Sequence, residues 1–215
     1  MTGPELVDFL RSVILRDTTA PLLWADGTLY RYLSEAQEMH ARKTYSIVSD
    51  TNTITTVIGT PSYALPAGAV FVLSARVSTN SRDLLDYTRK VIPSHLLTST
   101  GEPQIFTLDE ATGKIRFYPV PDAVFTINTR MAMLPAGDIS NTVLPEIMAR
   151  WHMDLLSFAA WRCLQGNDVD GQSTKAADRH EKEWNQKLLD AKREIYRMNL
   201  GANPSIIRSW TGKRN

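Results

Sequence analysis

Apolar positions along the chain follow two different periods, and the places where the period changes divide it. From Trp24 to Tyr45, Leu29, Tyr32, Leu33, Ala36, Met39 and His40 recur at helical spacing, with Arg31, Glu35 and Arg42 on the opposite side. Asp26 stands where an N-cap is expected, since its carboxylate can accept from the free N–H groups that open a helix. Upstream, Thr2-Gly3-Pro4-Glu5 has the layout of a capping box, and Leu6, Val7, Leu10, Val13 and Ile14 form the stripe of a first helix. That helix is expected to stop near Asp17–Thr19, because Pro21 cannot continue it. Trp24 reads as a plug over the helical core rather than a ligand-stacking residue.

After Tyr45 the period falls to two. Ile47, Thr55–Val57, Tyr63–Leu65 and Ala69–Val77 are β-branched or aromatic runs separated by Gly/Pro/Ser/Asp turns. Within Ala69–Val77 the alternation turns Phe71, Leu73, Ala75 and Val77 to one face. Leu84–Tyr87 reads as a further strand, and Pro93 favours a short helical turn within Arg89–Leu97. Gln104–Leu108 and Lys114–Tyr118 read as a hairpin around Asp109–Gly113, and Val124–Leu134 is the last long strand. Helical spacing returns at Pro145. The segment to Gly166 is apolar on nearly every face, the mark of a central helix. From about Ser173 to Leu200, one narrow seam of Ala177, His180, Trp184, Leu188, Ala191, Ile195 and Met198 runs along a surface of alternating charges.

This pattern predicts an α+β chain. A helical bundle from 1–44 and 140–200 carries an inserted antiparallel domain, sandwich-like or barrel-like, over 45–139. Residues 201–215, GANPSIIRSWTGKRN, form an extended tail whose two isoleucines and tryptophan have no periodicity to bury them locally. His180, Trp184, Leu188 and Ile195 are the candidate seam for the bundle or a neighbouring subunit.

Composition narrows the function classes. The 215 residues are 43% hydrophobic and 22% charged, an ordinary globular balance. A net charge of +1 supplies no field favouring nucleic acid or an anionic membrane. No run is long enough to span a bilayer, and MTGPELVDFL lacks the layout of a signal peptide. The single Cys163 leaves no internal disulfide and no Cys-rich metal site, and reads as a small buried hydrophobe made in a reducing cytoplasm.

Candidate chemistry is thin. His40, His95, His152 and His180 are scattered, and His40 and His180 lie on apolar stripes, where packed histidines are the simpler explanation. Gly113-Lys114 lacks the earlier glycine and the following Ser/Thr of a phosphate loop, and no G-x-S-x-G or G-x-G-x-x-G occurs. Anchoring a calcium-loop glycine on Gly171 puts Gly166 and Ala177 at ligand positions, so that pattern fails; Asp168 and Asp170 read as loop and capping residues. The expectation is therefore no catalytic residue, no metal and no cofactor.

Four segments carry a resemblance: LRDTTAPLLWADGTLYRYLSEAQEMHARKTYSI, YALPAGAV, GKIRFYPVPDAVFTINTRMAMLPAG and LPEIMARWHMDLLSFAAWRCLQGNDVD. Together, and in this order to about Trp184, they resemble the head-to-tail adaptor proteins of tailed bacteriophages. The resemblance implies a virion neck component without catalytic activity, made in the host cytoplasm. It implies a ring, usually dodecameric, under the portal vertex, through which DNA passes without sequence-specific binding. Portal protein, tail or nozzle proteins and further copies of the chain are the implied partners, with no membrane. The C-terminal segment of such adaptors reaches the portal, which makes Ile206, Ile207 and Trp210 candidate anchors and Arg208, Lys213 and Arg214 candidate charge partners. The other readings are a stopper, tail-terminator or nozzle subunit, and a carbohydrate- or host-binding β-module. A hydrolase lacks any convergent acid, base or nucleophile set.

Overall fold

Residues 1–109, 111–165 and 172–200 are described by a computed structural model. They divide into two compact units, one built from Met1–Ile47 with Leu134–Tyr196, the other on Val48–Met133. The chain is mixed α+β, and its sheets are antiparallel except for one short pair.

In the first unit, helix α1 (Gly3–Phe9) opens with the predicted capping box: Thr2 Oγ1 accepts from the Glu5 amide at 3.3 Å and Glu5 Oε2 from the Thr2 amide at 2.8 Å. Leu10–Leu15 then winds as a π-helix. The wider turn holds an extra residue, so the apolar stripe drifts around the axis. Leu6, Val7 and Leu10 are buried, whereas Val13, expected to face inward, is 55% exposed.

Helix α2 (Asp26–Thr44) begins one residue earlier than the cap predicted for it. Ala25 is the N-cap, with no side-chain cap, and the Asp26 carboxylate instead accepts from Arg11 Nη2 at 2.6 Å. Leu29, Leu33, Ala36 and His40 are buried as expected, but so are Ser34, Gln37, Ala41 and Thr44, while Met39 is exposed.

The central helix starts later than Pro145. A 3₁₀ turn (Ala149–Trp151) leads into α3 (His152–Gln165). The incoming segment is held against α2 instead, and Met148 just before the turn is extended, at ψ 142. Ser34 Oγ accepts from the Ile139 amide at 2.9 Å, and Gln37 Oε1 accepts from the Glu146 amide at 2.7 Å. Glu146 Oε1 in turn accepts from the amides of Ala136 and Gly137. Leu155, Leu156, Phe158, Ala159, Ala160 and Cys163 of α3 are buried. Helix α4 (Gln172–Leu200) adds Ala177, His180, Trp184, Ala191 and Ile195 to the buried set, with Leu188 partly covered. Phe158 meets Trp161 and Trp184 edge-on at 5.4 and 5.3 Å. Each fully buried Leu here contributes about 2 kcal/mol.

The second unit holds two four-stranded sheets. One has strand order β1 (Val48–Thr55), β8 (Thr126–Met133), β3 (Ala69–Val77), β4 (Arg82–Asp83); the other has β2 (Ser62–Ala64), β7 (Lys114–Tyr118), β6 (Ile105–Asp109), β5 (Leu85–Asp86). No closed barrel forms among the described residues. One core draws on both sheets: Ile54, Val72, Ala75, Val77, Ile127 and Met131 from the first, Phe106, Ile115 and Phe117 from the second. Of the inward set predicted for β3, Leu73, Ala75 and Val77 are buried and Phe71 is half-buried. The register against β8 shifts between Val72 and Ser74, and Val72 joins Ala75 and Val77 in the core shared by the two sheets. The predicted hairpin of β6 and β7 is present, with Gly113 in the left-handed region at φ 62. The predicted helical turn is the short helix Ser94–Thr98, which packs Leu96 on Ile105 and Tyr118.

Candidate functional site

Three polar constellations stand out in the first unit. The first ties the loop after α1. Asp17 is nearly buried, and its carboxylate accepts from Arg11 Nη1 at 2.7 Å and from the amides of Leu23 and Trp24 at 2.8 and 3.2 Å. Arg11 Nη2 bridges onward to the Trp24 carbonyl and to Asp26. Both charges have matched partners, which is the condition for burying them without a large penalty. Leu22 and Leu23 stay exposed on this fixed loop, while Trp24 packs against the core.

The second is His40, fully buried on α2. Its Nδ1 lies 2.9 Å from Ser46 Oγ and 3.2 Å from Thr44 Oγ1, and its ring stands 5.5 Å from Trp151 and 6.2 Å from Trp184. Burial pushes its pKa down to about 4, so the imidazole is neutral near pH 7. His180 on α4 is lowered in the same direction, first by burial. The third is a strip where α3 meets α4. Burial lifts the Asp154 carboxyl to about 6; Lys187 opposes that rise, and Glu183, Asp190 and Glu194 add to it. Lys187 Nζ donates to Ser157 Oγ at 2.9 Å and pairs with Glu183 at 2.8 Å, and Arg150 pairs with Glu194.

A groove of about 600 Å³ runs between α2 and Leu134–Ile139, with Tyr30, Arg31, Glu35 and Glu38 on one wall and Asp138 on the other. Its two glutamates are matched. Glu35 pairs with Arg31 and Arg162 at 4.0 and 3.5 Å, Glu38 with Arg42 at 2.7 Å. Arg31 and Arg162 both lie over the Tyr32 ring, at 5.2 and 5.6 Å.

Among the described residues, no group of three or more His, Cys, Asp or Glu is placed to hold a metal. No helix among them is long and apolar enough to cross a membrane. Cys163 is buried, and burial raises its thiol pKa to about 12. His180, Trp184 and Ile195 face the core of their own unit, with Leu188 packed at its margin. The tail candidates Ile206, Ile207, Arg208, Trp210, Lys213 and Arg214 lie outside the described residues, as do Asp168 and Asp170. Sequence reasoning missed Arg11, Asp17, Ser34 and Gln37. A polar residue inside an apolar stripe, as at Ser34 and Gln37, is the one signal that pointed to them.

Matching to known families identifies the class first: a structural protein of the phage virion, an adaptor between head and tail. The family model described as SU10 adaptor protein matches residues 1–208, and the chain belongs to that family. No curated protein matches the chain. Membership implies a place in the virion neck and association with portal and tail components.

Proposed function

We propose that copies of this chain assemble as a ring beneath the portal vertex, where they lengthen the DNA channel and offer the platform on which the tail is built. The observation that carries this reading is the family match over residues 1–208. A ring of identical head-to-tail contacts needs two different complementary faces on each subunit. The first unit, as a helical bundle, and the second, as a sandwich-like module, are suited to supply them, and twelve copies is the number the adaptor resemblance suggests. DNA passes through without being read.

The C-terminal segment fastens the ring to the portal. Ile206, Ile207 and Trp210 anchor in an apolar groove of the portal, and Arg208, Lys213 and Arg214 pair with its acidic residues. Ordering a segment costs roughly 1–2 kcal/mol per residue. Three buried apolar anchors return roughly 5–8 kcal/mol. A single segment therefore binds weakly, and many around one ring bind tightly by avidity. Truncation after Gly201 tests this: the shortened chain keeps its thermal unfolding midpoint and loses co-sedimentation with purified portal. Portal association that survives truncation overturns the assignment of the tail.

A further inference from the structure

The second unit carries a feature that none of the preceding roles uses. Strands β1 and β2 are the outermost strands of the two sheets and are consecutive in the chain. Among the described residues nothing pairs with the outer side of β1. The Thr56 amide donates to the Phe125 carbonyl at 2.9 Å, which fixes the phase of the strand. Ile54 and Asn52 therefore turn their backbone groups toward β8, and Thr53 and Thr55 turn theirs outward. The register shift between Ser49 and Asn52 confines the regular open edge to Asn52–Thr55, about 13 Å long at 3.3 Å per residue.

Free edges are normally guarded by lysine, proline, inward charges or bulges. Asn52–Thr55 carries no lysine, proline or charge, and the one irregularity lies before it, at Ser49–Asn52. No charged residue occurs from Thr51 through Ala75, and Asp50 at the margin is already paired with Arg130 at 3.0 Å. The edge runs directly into a turn that shows aliphatic side chains on a fixed backbone. Val57 is 58% exposed, Ile58 64%, and Val124 beside them 66%. Tyr63 Oη accepts from the Val57 amide at 2.9 Å and donates to the Thr60 carbonyl at 2.6 Å. Thr56 Oγ1 donates to the Ala123 carbonyl and accepts from the Phe125 amide, and the Gly59 amide donates to the Pro121 carbonyl. A surface already held in place loses little conformational freedom when it is covered.

We infer that the outer edge of β1 and the Val57–Ile58 turn are the docking site for an extended, uncharged segment of the tail-side neck component, which joins the sheet as an added strand. The partner segment is uncharged because a charge laid on this edge would be desolvated with no counter-charge to meet it. A second copy is a poor occupant in head-to-tail register. The opposite ends of the two sheets offer only β4 and β5, two residues each, with Arg82, Asp83 and Asp86 among them. The portal is engaged by the tail segment in the reading above, on which this inference rests.

The test uses full-length chain bound to purified portal, with the purified tail-side neck protein of the same virion as the probe in biolayer interferometry. Thr53→Lys with Thr55→Lys is expected to weaken capture of that protein by about tenfold or more, and Ile58→Asp by a similar factor. Thr53→Val with Thr55→Val keeps the edge neutral and its amides in place, and stays within about threefold of wild type. Amide exchange at Thr53 and Thr55 slows in the bound state. All variants retain portal binding and their unfolding midpoints, because these side chains are exposed. Unchanged capture by the lysine variant overturns the inference, as does a loss in self-association or portal binding with tail-side capture intact. Truncation after Gly201 separates the two assignments: it abolishes portal binding and leaves tail-side capture in solution unchanged.

Discussion

Replacing His40 with glutamine should remove a specific part of the acid sensitivity of the helical unit. The imidazole is fully buried against Trp151 and Trp184, and burial lowers its pKa from 6.5 to about 4. In the unfolded chain the same ring takes a proton near pH 6.5. Between those values the unfolded state binds more protons, so stability falls as pH drops through the window and levels off below it. A gap of roughly 2.5 units at 1.36 kcal/mol each gives a loss of about 3 kcal/mol. The assay is urea unfolding at pH 7 and pH 4.5, followed by tryptophan fluorescence. In a Trp210→Phe background the remaining tryptophans, Trp24, Trp151, Trp161 and Trp184, all belong to the first unit, so the signal follows the unit that holds His40. His40→Gln is less stable at both pH values, because packing is disturbed. Its loss between them should be smaller than that of wild type by about 2–3 kcal/mol. His180 shifts in the same direction, but wild type and variant share it, so it cancels. Equal pH dependence in the two proteins would refute the reasoning.

Asp154 points the other way. Its pKa is raised to about 6, so the folded state favours the protonated form and the ionised carboxylate weakens the fold above that pH. Asp154→Asn should raise the unfolding midpoint at pH 7.5, with the gain gone by pH 4; calorimetry at both values decides. Gly3→Ala should destabilise by about 1–3 kcal/mol, because a Cβ there would stand 2.1 Å from the Ser140 carbonyl oxygen and the backbone must give way. A chemical denaturation midpoint unchanged from wild type would contradict that contact.

Periodicity was enough to find the elements, because burial of a helix stripe or a strand face imposes a repeat on the chain itself. Leu29, Leu33, Ala36, Trp184 and Ile195 could be read in this way. What periodicity could not show was any departure from a regular repeat. The π-helical turn carries Val13 outward, and the register shift in β3 buries Val72 as well as Leu73. Neither leaves a mark in composition, since both are settled by what lies across from them. Helix ends were misjudged for the same reason. Asp26 has the right chemistry for a cap, but Arg11 competes for its carboxylate; Pro145 could open a helix, but Met148 is extended and regular turns begin only at Ala149. The groove along α2 is equally silent in sequence, because its two walls lie far apart in the chain. The free edge of β1 was only half legible: the charge-free run is visible in the letters, the missing neighbour is not.

The interrupted layout of the helical unit also sets an order of events on the ribosome. The sheet-bearing stretch is continuous, so it has every strand it needs once Met133 has emerged. The amino-terminal helices do not. Leu6, Leu10, Leu29 and Leu33 wait for Leu155, Leu156 and Trp184, which are synthesised much later. Contacts of such long sequence separation form slowly, and nascent apolar surface left uncovered meanwhile is open to aggregation. Helix α4 thus closes a core whose first helix was made long before it.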